Sequence, residues 1–145
     1  MNIITLSEKQ TLGLGKKIAK ELKGGETIAL IGELGAGKTI FTKGIADGLK
    51  IKKIITSPTF VLMKVYPIDL KKNNKIKTLC HIDAYRLNSG KDLIDIGIND
   101  YLGQKNTVTI IEWADQVEDI LPINTIFVKI KVESNGRRRV VSIKK

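Results

Sequence analysis

The sequence predicts a three-layer α/β domain whose mostly parallel central sheet carries antiparallel additions. Three observations predict it. Apolar runs of strand length alternate with segments of helical periodicity, and one run, Thr27-Ile28-Ala29-Leu30-Ile31, is apolar without alternation, as a strand covered on both faces must be. The last third carries two strand-like runs joined around Asn135-Gly136, a strong hairpin signal.

The elements follow in order. Ile3 to Leu6 reads as a short strand, and Ser7 with Gln10 at capping-box spacing opens an amphipathic helix through Leu12, Leu14, Ile18, Ala19 and Leu22, ending at Gly24-Gly25. After the buried strand comes a glycine-bearing loop, then helical spacing at Ile40, Phe41, Ile45, Ala46 and Leu49. Ile54-Ile55 and Phe60 to Tyr66 read as extended segments separated by Ser57-Pro58. Ile76 to Ile82 reads as a strand pairing antiparallel with the second of these across a turn at Asn73-Asn74. Short helices are expected around Asp92 to Ile98, a buried strand at Val108 to Ile111, a short helix from Ala114 to Leu121, and strands at Thr125 to Val132 and Arg139 to Ile143.

A chain of 145 residues, 42% hydrophobic and 28% charged, fits one domain spanning 1–145 and is too apolar to be disordered. No apolar run approaches the ~20 residues that cross a bilayer, and Met1-Asn2-Ile3-Ile4-Thr5 lacks the regions of a signal peptide; the expected compartment is the cytoplasm, without a membrane partner. The lone Cys80 cannot form an internal disulfide and reads as a buried apolar residue. The net charge of +10 is spread over single lysines, with local clusters at Arg137-Arg138-Arg139 and Lys71-Lys72 to Lys77; it reads as solvated surface.

The chemistry sits in Gly32-Glu33-Leu34-Gly35-Ala36-Gly37-Lys38-Thr39, which fits G-x-x-x-x-G-K-[ST] at every fixed position, behind a buried strand and ahead of a helix. Glycines let successive backbone N–H groups turn toward an anion, and the helix adds its positive end. Lys38 is expected on the β and γ phosphates of a nucleoside triphosphate and Thr39 on its Mg²⁺. Gly13-Leu14-Gly15 lies inside a helical pattern and reads as helix packing instead. A phosphate loop also needs a carboxylate at the end of a neighbouring strand. Asp83 and Glu112 each end an apolar strand, and either could hold the cation or orient the attacking water. Thr59, in Ser57-Pro58-Thr59-Phe60, could add a second hydroxyl; His81 reads as a sheet residue and Trp113 as core or rim packing.

Together these motifs resemble the TsaE family of tRNA threonylcarbamoyladenosine biosynthesis proteins, small P-loop ATPases also called YjeE. The likeness spans nearly the whole chain: Gly32 to Thr39, Ser57-Pro58-Thr59-Phe60, His81-Ile82-Asp83-Ala84-Tyr85-Arg86-Leu87, Ile96-Gly97-Ile98 with Tyr101-Leu102, and Ile111-Glu112-Trp113-Ala114-Asp115. It implies a P-loop NTPase-like domain that binds ATP and Mg²⁺ and joins TsaB and TsaD in placing a threonylcarbamoyl group on adenosine beside the anticodon of tRNA. Hydrolysis would cycle the assembly, while transfer belongs to TsaD. By motif, Leu34, Gly35, Ala36, Gly37, Lys38, Thr39 and Ile40 would contact the nucleotide. Thr39 and Glu112 would hold the metal, Lys38, Asp83 and Glu112 would form the catalytic set, and Glu8 would lie at the nucleotide's edge. Ile40 stands where the family often has a hydroxyl residue, and Ala84 where it often has leucine.

Other readings of the same loop fare worse. A small-molecule or nucleotide kinase needs an acceptor pocket and an arginine-bearing lid, and no lid is evident. A GTPase needs N-K-x-D, which Asn74-Lys75-Ile76-Lys77 does not complete. An RNA-binding module leaves the loop unused and is poorly served by 5% aromatic residues. With no arginine finger evident in cis, the isolated chain is expected to turn over ATP weakly and to gain from partners.

Overall fold

The computed structural model describes residues 1–58, 61–69, 71 and 75–145, so the expectations placed on Thr59, Phe60, Lys72 and the turn at Asn73-Asn74 lie outside the described residues. The first strand, β1 (Asn2–Thr5), leads into helix α1 (Glu8–Ala19). Ser7 caps that helix by accepting the Gln10 N–H at 3.2 Å, and Gln10 returns its side-chain oxygen to the Leu6 N–H at 2.7 Å. The box therefore closes one residue earlier than its usual partner. The helix ends at Ala19 rather than at Gly24. Glu21 and Leu22 donate to carbonyls three residues back, and the Glu26 carboxylate accepts the N–H groups of Lys23 and Gly24, diverting the chain.

Strand β2 (Thr27–Ile31) precedes α2 (Lys38–Gly48), and β3 (Met63–Pro67) pairs antiparallel with β4 (Thr78–Asp83), as expected. Ile54-Ile55 forms no strand. Helix α3 (Lys91–Asp95) and a 3₁₀ turn at Ile98–Asp100 fill the irregular stretch before β5 (Thr107–Glu112), and a kinked 3₁₀ segment, Ala114–Ile120, follows it. The terminal hairpin joins β6 (Ile126–Val132) to β7 (Arg139–Lys144). At its turn the Asn135 side chain accepts the N–H groups of Arg137 and Arg138, and Gly136 takes φ +70°.

These strands form one sheet in the order β1-β7-β6-β2-β5-β4-β3. The central pairs β6–β2, β2–β5 and β5–β4 are parallel, whereas β1–β7, β7–β6 and β3–β4 are antiparallel. The expected three-layer α/β architecture is therefore the observed one. One core cluster fills the face under α1 and α2, with Phe41 and Ile45 fully buried, each contributing roughly 1.5–3 kcal/mol. A second cluster, containing Cys80, Ile82, Leu93, Ile98 and Ile111, lies on the other face. Cys80 is fully buried as expected, and burial pushes its thiol up to about 12. No helix among the described residues is long and apolar enough to cross a membrane.

Helices α1 and α2 meet at a glycine seam. A Cβ on Gly15 would fall 2.3 Å from the Phe41 carbonyl oxygen, and one on Gly44 would fall 2.1 Å from that of Leu12. The packing expected of Gly13-Leu14-Gly15 thus holds for Gly15, while Gly13 faces open space. Since both obstructing atoms are backbone, neither can swing aside. Gly44→Ala is expected to force the helices apart and cost about 2–3 kcal/mol, read from the midpoint of urea unfolding.

Candidate functional site

The loop after β2 inherits its position from the sheet: β2 lies between β5 and β6, so its carboxyl end opens where two neighbouring parallel strands also end. Gly37 caps α2 with φ +109°, a left-handed conformation that a side chain would strain, and its carbonyl accepts the first full helical bond, from Phe41. The N–H groups of Lys38, Thr39 and Ile40 belong to that first turn and have no carbonyl four residues back inside the helix. They form the positive end of α2.

Around them opens a cleft of about 410 Å³, within the size range of small-molecule sites. The residues singled out from sequence converge there: Glu8, Leu34, Gly35, Gly37, Lys38, Thr39, Ile40, Asp83 and Glu112 all line it. Ala36 does not. Its side chain is 1% exposed, and its N–H is spent on the Glu33 carbonyl.

Lys38 folds back along the loop, donating to the carbonyls of Gly32 at 2.6 Å and Glu33 at 2.9 Å. Its ammonium also sits 4.0 Å from the centroid of the Trp113 ring. Burial holds this lysine's pKa below the ordinary value, a shift opposed by the negative charges of Glu112, Asp83 and Asp115. The cation is poorly hydrated, and what surrounds it is weaker than a phosphate.

Glu112 is the last residue of β5 and pairs in register with Asp83, the last of β4, so both carboxylates arrive at the same height; they are 3% and 4% exposed. Their partners differ. Glu112 accepts the Thr39 hydroxyl, 3.2 Å from each carboxylate oxygen, and the His81 ring nitrogen Nε2 at 2.7 Å. Asp83 accepts the Ser57 hydroxyl at 2.6 Å and the Tyr85 N–H at 2.9 Å, tying the segment before Pro58 to the strand end. The two acids left equivalent by the sequence are thus separated: Glu112 faces the threonine of the loop, and Asp83 faces the Ser57 segment.

Three neighbours make contacts beyond those the sequence predicts. Trp113, expected as core or rim packing, does pack on the second core cluster, but it also lines the cleft over Lys38. It adopts φ +56°, uncommon for a bulky residue, and its ring lies 4.9 Å from that of Tyr85. His81, expected as a sheet residue, is fully buried in β4 yet holds Glu112. Arg139 opens β7 and lines the cleft in cis, donating from Nε to the Ala36 carbonyl at 3.1 Å. Sequence gave no sign of that contact, since 103 residues separate the pair and only the fold of the terminal hairpin brings them together.

The donor set suits magnesium. A threonine hydroxyl and a carboxylate supply hard oxygen ligands, and no group of three His, Cys, Asp or Glu side chains converges among the described residues. An ion that keeps several waters and takes its other ligands from phosphate needs no all-protein cage.

Comparison with known proteins finds relatives over nearly the whole chain. The family model described as "Threonylcarbamoyl adenosine biosynthesis protein TsaE" matches residues 5–140. The tRNA threonylcarbamoyladenosine biosynthesis protein TsaE of Treponema pallidum (strain Nichols) is 38% identical over 140 residues, covering 97% of this chain and 98% of that protein. Its counterpart of the same name in Bacillus subtilis (strain 168) is 35% identical over 136 residues, covering 94% and 80% respectively. The crystal structure of Bacillus subtilis YdiB superposes with a TM-score of 0.77 at 32% identity, over 99% of this chain and 83% of that one. With the family model matched over residues 5–140 and relatives aligned over almost its whole length, the chain belongs to the TsaE family.

Proposed function

We propose that this protein binds ATP with Mg²⁺ in the cleft at the amino end of α2 and hydrolyses it. It does so as the ATPase member of an assembly, with TsaB and TsaD type partners, that forms threonylcarbamoyladenosine beside the anticodon of tRNA. The single observation that carries the nucleotide reading is the Thr39 hydroxyl set on the Glu112 carboxylate beside the first turn of α2, which has no side-chain cap, and the Lys38 ammonium. The pathway rests on the family, whose relatives are named for that modification.

Each residue then has a task. The first-turn amides and Lys38 bind the polyanion, Lys38 exchanging two carbonyls for phosphate oxygens. Thr39 and Glu112 hold the cation, which when bound neutralises charge on the β and γ phosphates. Asp83 positions the Ser57 segment next to the reacting end. Arg139 and Glu8 line the cleft on the loop side and at the start of α1, where they border the nucleotide. Hydrolysis resets the assembly, and the acyl transfer occurs elsewhere. The protein works in the cytoplasm, as one domain.

Trp113 provides a direct test, because it is the one tryptophan in the sequence and its ring stands over the lysine that must move. Adding ATP with Mg²⁺ is expected to change its fluorescence saturably, with a matching calorimetric isotherm. Reconstitution with the two partners and unmodified tRNA is then expected to stall after few turnovers when this protein is left out. Undiminished modification through many turnovers without it would sink the assembly role, and absence of any magnesium-dependent ATP binding would sink the nucleotide reading.

A further inference from the structure

His81 is the one histidine of the chain, fully buried in the second position before the end of β4. Register places it beside Ile110 of β5 and Lys64 of β3, so it lies one diagonal step from Glu112 on the same face of the sheet. Its Nε2 meets Glu112 Oε1 at 2.7 Å, while its Nδ1 is buried and has no hydrogen-bond partner among the described residues. A carboxylate can only accept, so the proton on this ring belongs on Nε2. A proton on Nδ1 would leave a buried N–H without an acceptor and Nε2 without a donor to give.

The two oxygens of Glu112 are consequently unequal. Among the described residues, Oε1 accepts from both His81 and Thr39, whereas Oε2 accepts from the Thr39 hydroxyl alone. Once that hydroxyl turns its lone pair to a cation, Oε1 stays anchored and Oε2 is released. We propose that His81 is a positioning residue for the metal site: its Nε2–H fixes Glu112 in one rotamer and presents Oε2, rather than Oε1, to the magnesium ion. The inference rests on the reading of the cleft as an ATP–Mg²⁺ site. Without the anchor the glutamate would keep its charge and lose its aim, as when a ligand's supporting hydrogen bond is removed from other metal sites, typically at 10- to 100-fold cost in metal affinity.

Two measurements test it. The first needs no nucleotide: with a single imidazole in the chain, ¹⁵N spectra of the free protein report one ring. They are expected to show Nε2 protonated and Nδ1 bare, with the Nε2 proton protected from exchange in the wild type and in Asp83→Asn but not in Glu112→Ala. The second is the ratio of ATP affinity at saturating Mg²⁺ to that in EDTA. His81→Leu is expected to lower this ratio by about 10- to 100-fold with the EDTA affinity unchanged, and His81→Gln, whose amide can replace the donor, to recover most of it. A proton on Nδ1, or a His81→Leu ratio equal to wild type, overturns the inference. Should His81→Leu fail to fold by thermal melting, a His81→Gln ratio as low as that of Glu112→Ala overturns it, and the spectra decide independently. Wild-type protein that binds no ATP in either buffer overturns the nucleotide reading instead, a result distinguishable from both.

Discussion

Lys38→Ala is expected to lower ATP turnover by about 10²- to 10³-fold or more, in the chain alone and in the proposed assembly, which is the scale for removing one preorganised charge from a water-poor site. The geometry explains why one side chain weighs so much. In the free chain the ammonium is buried and held by two carbonyls and a ring face, partners that compensate a charge only in part. A phosphate offers full charge and shorter, charge-assisted bonds, so the incentive to leave the resting contacts is built into the loop. Turnover of the variant within threefold of wild type would remove Lys38 from the chemistry.

The same residue gives a pH dependence. Because burial holds the folded-state pKa of Lys38 below that of an unfolded lysine, the folded chain binds fewer protons at this group between the two values. Its contribution to stability therefore rises with pH across that window and is lowest below it. Replacing the ammonium by a methyl thioether in Lys38→Met removes that burden, and this variant is expected to melt higher than wild type at pH 7 without nucleotide.

Glu112→Ala is expected to cost about 10²- to 10³-fold in magnesium-dependent turnover, and it differs from Lys38→Ala in damaging the free protein as well. Truncation leaves the buried His81 N–H without its acceptor and takes away the partner of the Thr39 hydroxyl, at roughly 1–3 kcal/mol for the buried donor. Glu112→Gln offers the chemical control, since its amide oxygen can still accept from His81 while the charge is gone. We expect it to retain most of the melting temperature and lose most of the activity. Equal melting temperatures for the alanine variant and wild type, measured without ligand, would contradict the buried network.

Much of the fold was legible because its signals are local. The uninterrupted apolar run of β2, the glycines and Lys38-Thr39 after it, and the helical spacing beyond fix loop and helix within some twenty residues. Where the sequence misled, a tertiary partner had intervened. Nothing near Leu22 announces that the Glu26 carboxylate will take the Lys23 and Gly24 amides, and α1 stops early for that reason. Ile55 is 4% exposed but Ile54 is 83% exposed, and the pair does not belong to any strand of the seven-stranded sheet. In the site, the loop and both carboxylates were readable from motif and strand ends. The aim of those carboxylates was not, because it depends on register: the same pairing that sets Asp83 opposite Glu112 places His81 diagonally behind it. Trp113 required a left-handed backbone to reach Lys38, and Arg139 required a hairpin to return to the loop.

Strand order has a further consequence, felt while the chain is being made. A ribosome releases β1, α1, β2 and α2 before the other elements of this sheet, yet β2 has as sheet neighbours β5 and β6, and the strand beside β1 is β7, the last of the seven strands to emerge. The apolar middle strand therefore waits with both edges bare until synthesis reaches β5 at Thr107. Nascent fragments ending before residue 107 should aggregate or recruit chaperones rather than retain ATP, and competence should arrive abruptly as the closing hairpin docks.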